Sequence, residues 1–121
     1  MDNNVKIVDL KNKVKKFCEG REWDKYHNAK DLSIGIITEA AELLEHFRFK
    51  SEREIEEFFE DSKKKKEISE ELVDVLFFVL RFAQRYEIDL SDELEAKLKK
   101  SKLKYPVNKS KGSNKKYTEL K

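Results

Sequence analysis

The sequence predicts an all-α domain, a bundle of four to five helices, and three observations carry that prediction. The 121 residues include only three Gly and one Pro, too few turn formers for the many tight connections of a β-sandwich or barrel. Apolar residues recur at spacings of three and four through most of the chain, the period of a helix and not of a strand. Charged residues make up 43% of the chain and hydrophobic ones 38%, so a densely ionised surface coexists with enough apolar mass for one core at a single-domain length.

Taken in order, Ile7, Leu10, Val14 and Phe17 mark an amphipathic first helix that ends near Gly20. "REWDKYHNAKDL" follows as a connection whose Trp23, Tyr26 and His27 either plug the end of the bundle or line a pocket beside it. Asn28 or Asp31 caps the next helix. That second helix is expected from about Lys30 to Phe49, with Ile36, Ile37, Ala40, Leu44 and Phe47 as a broad apolar face. Ser51 and Glu54 form the pattern of a capping box that opens a short helix through Phe58 and Phe59 to about Asp61.

The lysines at 63–66 read as a solvated loop or as a helix start. From Ile68 the periodic residues Leu72, Val75, Leu76, Val79, Phe82, Ala83 and Tyr86 mark the central helix. A fifth helix begins near Ser91, its expected N-cap, with Leu94, Leu98 and Leu103 as its stripe, and Pro106 ends regular structure. The expected organisation is thus a helical domain over 1–106 and a polar, lysine-rich tail over 107–121, with "YTEL" as a local anchor.

The lone Cys18 has no partner for an internal disulfide and sits beside Phe17 and Val14, the setting of a packed thiol in a reducing compartment. No apolar run approaches the roughly 20 residues of a membrane span, and "MDNNVK" lacks a signal-peptide core. A cytoplasmic protein without a membrane partner is expected. Net charge is +2, yet residues 97–116 carry nine lysines and no acid.

Two acidic pairs interrupt apolar helical sequence: Glu39 and Glu42 in "ITEAAELLEHF", and Glu71 and Asp74 in "SEELVDVLFFVLRF". Residues three apart on a helix are neighbours. If the two helices pack antiparallel, the four carboxylates can converge, and like charges in a partly buried site drive pKa values up or disrupt the fold unless a cation neutralises them, a divalent ion being the simplest answer. Oxygen-only ligands select a hard ion, Mg²⁺, with Mn²⁺ able to substitute; zinc is disfavoured because Cys18, His27 and His46 have no ligand spacing. A solvated face is the competing reading of "EAAE" alone. Asp74, flanked by "LV" and "VLFFVL", tips the balance, since an unpaired buried carboxylate costs several kcal/mol.

"EAAE", a 28-residue gap and "ELVD" together resemble the ExxE and ExxD motifs of the all-α nucleoside triphosphate pyrophosphohydrolases, the MazG-like superfamily. "REWDKYHNAKDL", "ELLEHFRFK", "KYP" and "KKYTEL" are most similar to its dCTP pyrophosphatase branch, and the resemblance runs from about Arg21 to Leu120. It implies a MazG-like bundle assembling as a homodimer or homotetramer, with Phe77, Phe78 and Phe82 toward a partner subunit. It also implies Mg²⁺-dependent hydrolysis of a nucleoside triphosphate to the monophosphate and pyrophosphate, in nucleotide-pool sanitation.

By that resemblance Glu39, Glu42, Glu71 and Asp74 are the metal ligands, and Glu42 or Glu39 is the catalytic base. Trp23 and His27 match positions around the nucleobase, the alternative for each being a cap on the core. Lys30 and Asp31 are further pocket candidates, and Lys50, Lys97 and Lys104 are candidates to meet phosphate oxygens. Phe49 stands where the family has a pocket tryptophan, Phe78 where it has a tyrosine, and Ser101 where asparagine is common. Base selection is therefore open, with a pyrimidine deoxynucleotide such as dCTP, or a modified form, as the first expectation.

Two other classes compete. A nucleic-acid or polyanion module would use the lysines of 97–116 with Tyr105 and Tyr117 for stacking, although lysine without arginine reads bases poorly. A purely structural protein would instead pair the acids with lysine or arginine, Arg81 among them.

Overall fold

The computed structural model describes residues 1–120. It is all-α, with six α-helices and, among the described residues, no strand. The chain divides into two compact units, one spanning Met1–Glu87 and one from Ile88 onward.

The first unit holds α1 (Ile7–Glu19), α2 (Ala29–Glu45), α3 (Glu52–Glu60) and α4 (Ser62–Arg85). Each start is set by a local acceptor for a backbone N–H that the helix itself leaves unpaired. Asn28 Oδ1 accepts from Asp31 N at 2.8 Å. Ser51 and Glu54 form the expected capping box, the hydroxyl accepting from Glu54 N at 3.2 Å and the carboxylate from Ser51 N at 3.4 Å. Asp61 Oδ1 accepts from Lys63 N and Lys64 N, so the lysine run opens α4 and is not a loop.

Helix α4, about 36 Å long at 1.5 Å per residue, packs against α1, α2 and α3. Cys18, Leu32, Ile68, Leu80 and Ala83 are buried around it, and burial pushes the Cys18 thiol above its ordinary pKa. The pairings of α2 with α4 run in opposite directions: Gly35 meets Phe78, Glu39 meets Glu71 and His46 meets Lys64. The two helices are antiparallel, as the convergence of the acidic pairs requires. A Cβ at Gly35 would lie 2.6 Å from the Phe78 ring, so the missing side chain is what lets that ring rest on the α2 backbone.

Several expectations need correction. Helix α2 stops at Glu45, short of Phe49, and the chain turns over 46–49, with Phe49 in the left-handed region at φ 63°. The stripe of α2 toward α4 includes buried Leu32 and half-buried Ile36, Glu39 and Leu43, whereas Ile37, Ala40 and Leu44 are exposed, because one helix turns only one stripe toward a single neighbour. Phe77 and Phe78 pack within the chain, Phe77 edge-on to both Phe17 and Phe78. The apolar side chains that α4 leaves exposed are Leu72, Val73 and Leu76.

The second unit contains α5 (Leu90–Lys104), α6 (Val107–Ser110) and a 3₁₀ turn at Tyr117–Glu119. Asp89, not Ser91, caps α5: its Oδ1 accepts from Asp92 N at 2.9 Å, and a carboxylate there also meets the positive end of the helix. Pro106 does not end regular structure, since its φ of −63° leads directly into α6. Tyr105 and Tyr117 meet edge-on at 6.1 Å with Lys104 Nζ 4.7 Å from the Tyr117 ring. The two rings offered for stacking on bases are thus engaged with each other.

Candidate active site

Antiparallel packing brings one carboxylate oxygen from each of Glu39, Glu42 and Glu71 within 4.8 Å of the other two. Glu39 and Glu71 are half-buried and Glu42 is exposed. Glu39 Oε2 and Glu71 Oε2 are buried with no hydrogen-bond partner. An unmet buried acceptor is costly, roughly 1–3 kcal/mol and more for a charged group, and a bound cation would relieve both oxygens.

The carboxyls respond as physics demands. Burial, then the adjoining carboxyl of Glu42, then the charges of Asp74 and Glu71, push Glu39 up to about 7. Glu71 is also raised, by burial first and by Glu42 and Asp74 after it, with His46 opposing. Among the described residues no ion pair involves any of the four acids; Arg81, a candidate partner for them, pairs with Asp24 instead. The donor set is all oxygen and all anionic, which fits a hard divalent ion such as Mg²⁺.

Asp74 is placed differently from the expectation. It is exposed and outside the three-oxygen cluster, although its charge acts on both Glu39 and Glu71. Three residues turn a helix by about 300°, which rotates Asp74 some 60° away from Glu71. Its apolar neighbours Leu72, Val73 and Leu76 are themselves exposed, so the argument from burial rests on Glu39 and Glu71.

A second constellation lies where the loop before α2 meets α4. Trp23 is edge-on to Phe17 at 5.6 Å and to His27 at 6.0 Å, and Phe17 continues to Phe77 and Phe78. The candidate base-pocket residues Trp23, His27 and Phe78 therefore belong to one chain of aromatic contacts, ending on Gly35, one turn of α2 before Glu39. Lys30 and Asp31 are exposed in the first turn of α2; Asp31 is eight residues, about 12 Å along the axis, from Glu39. Phe49 is 91% exposed beneath the Arg48 guanidinium, with Lys50 exposed after it. Lys97 and Lys104 are exposed on α5 in the second unit.

Two groupings escaped the sequence reading. Arg81, fully buried, joins Asp24, His27 and Gln84; the signal was an arginine inside the apolar run "VLRFA". Lys64 Nζ lies 2.9 Å from His46 Nδ1 and 4.9 Å from the Phe58 ring, a contact across 18 residues that no local pattern announces.

The chain is similar to known proteins in the same terms. The model of the MazG-like family matches residues 34–120. The chain is 32% identical to dCTP pyrophosphatase 1 of Mus musculus over 94% of its own length and 67% of that protein's, and 29% identical to dCTP pyrophosphatase 1 of Homo sapiens over the same shares. The crystal structure of a pyrophosphatase from Archaeoglobus fulgidus DSM 4304 superimposes with a TM-score of 0.76 at 36% identity, covering 82% of this chain and 91% of that one. The matched span takes in both acidic pairs and the antiparallel helices that bring three of their carboxylates together, and on that agreement the chain belongs to the MazG-like family.

Proposed function

We propose that this chain is a nucleoside triphosphate pyrophosphohydrolase, converting a (deoxy)nucleoside triphosphate and water to the monophosphate and pyrophosphate, with dCTP or a modified pyrimidine relative as its substrate in nucleotide-pool sanitation. The observation that carries the reading is a cluster of three carboxylates, Glu39, Glu42 and Glu71, across α2 and α4, two of which keep a buried oxygen without a hydrogen-bond partner. A polar, uncompensated spot of this kind is tolerated where binding a ligand resolves it.

Glu39, Glu42 and Glu71 would hold Mg²⁺, with Asp74 joining from the rim. When bound, the ion supplies charge neutralisation of the triphosphate and acidifies the attacking water. Glu42, the exposed member, reaches bulk water and accepts the proton of that water; Glu39 is the alternative base. Trp23 offers a flat face to a nucleobase and His27 a hydrogen bond. Lys30, Asp31 and Lys50, all exposed, are offered to the sugar and phosphates, and Phe49 and Phe78 supply apolar surface. The setting is cytoplasmic, in keeping with the buried free thiol of Cys18. No helix among the described residues is long and apolar enough to cross a membrane.

The test is a pyrophosphate-release assay with Mg²⁺ across the common ribo- and deoxyribonucleoside triphosphates and several modified pyrimidines. The reading predicts equimolar monophosphate and pyrophosphate, fastest with a cytosine deoxynucleotide. Absence of monophosphate with every one of them would refute it.

Assembly as a homodimer or homotetramer is part of the same proposal. Ile37 is 70% exposed, and Ile34 and Leu44 on α2 and Leu72, Val73 and Leu76 on α4 are also exposed, an apolar surface that a lone chain leaves in water. Sedimentation equilibrium should return two or four chain masses, and Ile37→Glu should lower that number; a wild-type mass of one chain removes the proposal.

A further inference from the structure

Arg81 is 0% exposed, a rare state for a charged side chain. It directs donors at three side chains: Nη2 at Asp24 Oδ1, Nη1 at Gln84 Oε1 (2.6 Å) and Nε at His27 Nδ1 (2.9 Å). An arginine nitrogen donates and never accepts. Nδ1 of His27 must therefore be the acceptor, and the one proton of the neutral ring is on Nε2. Arg85 Nε donates to the His27 backbone carbonyl at 3.4 Å, a second tie between α4 and this residue. Among the described residues no hydrogen bond engages Nε2, and His27 as a whole is half-buried.

We infer that Arg81 is a positioning residue that fixes His27 as a neutral imidazole with Nε2–H presented as a donor, so that the Trp23 edge of the site takes a substrate atom able to accept, such as a nucleobase carbonyl oxygen or ring nitrogen. The electrostatic surroundings agree: burial, then the positive Arg81 and Arg85, lower the His27 pKa, against the opposing charges of Asp24 and Asp31. The identity of the ligand rests on the pyrophosphohydrolase reading; the tautomer does not. Without Arg81 the ring is free to carry its proton on either nitrogen or on both, and a fraction of molecules then offers the wrong group to an acceptor.

Long-range ¹H–¹⁵N correlation spectra of the ¹⁵N-labelled full chain at pH 7 read the tautomer directly. Wild type should show His27 protonated at Nε2 and bare at Nδ1, and Arg81→Met should show an averaged or charged ring. Asp24, half-exposed, returns to water in that variant, so the fold should survive. If it does not, the wild-type spectrum alone still decides, because only an acceptor Nδ1 opposite the arginine leaves the proton on Nε2. In parallel, KM for dCTP should rise about tenfold in the folded variant, the loss of one good hydrogen bond, with kcat changed less. An Nδ1–H or doubly protonated His27 in wild type overturns the inference, and so does an unchanged KM in a folded variant that has lost the tautomer. A wild type that hydrolyses no nucleotide refutes the enzymatic reading alone, and the spectrum still decides what Arg81 does.

Discussion

Glu39→Gln should lower kcat/KM by more than about 100-fold while raising the melting temperature of the metal-free protein. The activity loss follows from removing an anionic oxygen at the centre of the three-carboxylate cluster; even residues that only orient a metal ligand cost 10- to 100-fold when removed. The gain in stability has the same origin. Glu39 is held in a half-buried position beside Glu42 and Glu71 with Oε2 unpartnered, and its carboxyl is pushed up to about 7, so its charge is opposed by the folded state. The amide has the same shape, carries no charge and can donate to Glu42. Steady-state kinetics and calorimetry on one preparation read both effects. A variant that is inactive and less stable without metal would mark Glu39 as a structural residue.

Mg²⁺ and pH should act on stability in opposite senses. A carboxyl whose folded pKa exceeds its ordinary value binds a proton in the folded state that the unfolded chain has already released. The stability this contributes is complete below about 4.5 and is lost as pH rises through about 7; Glu71, also raised, adds with the same sign. The metal-free protein should therefore melt lower at pH 8 than at pH 5. Mg²⁺ at a hundred times its Kd should add about 2.7 kcal/mol at pH 8, on the order of 10 °C for a chain of this size, and far less at pH 5, where protons hold the site. Melting curves at both pH values with and without Mg²⁺ check this, and an Mg²⁺ effect of equal size at both would contradict it.

What was legible in the sequence was local. Asn28 and the Ser51–Glu54 box were readable because a cap joins a side chain to a backbone group two or three residues away. Glu39, Glu42 and Glu71 were readable as acids set into two apolar helical runs, leaving only the antiparallel packing of α2 and α4 to be supplied. Asp74 shows the limit. Apolar flanks say that a helix surface is suited to burial, not that this chain itself buries it, and Leu72, Val73 and Leu76 stay exposed around it. Helix α2 ends four residues before the expected point because the chain turns at 46–49 and Phe49 takes a positive φ, which a run of good helix formers does not signal. Asp24 and Arg81 are 57 positions apart, and only the tertiary fold makes them neighbours.

The most direct measurement is the anomalous diffraction of Mn²⁺ in a crystal soaked at pH 8. A peak about 2.1 Å from Glu39 Oε2 and Glu71 Oε2, lost in Glu39→Gln, is the predicted result. Three carboxylates turned apart into solvent, with no manganese between α2 and α4, would contradict it.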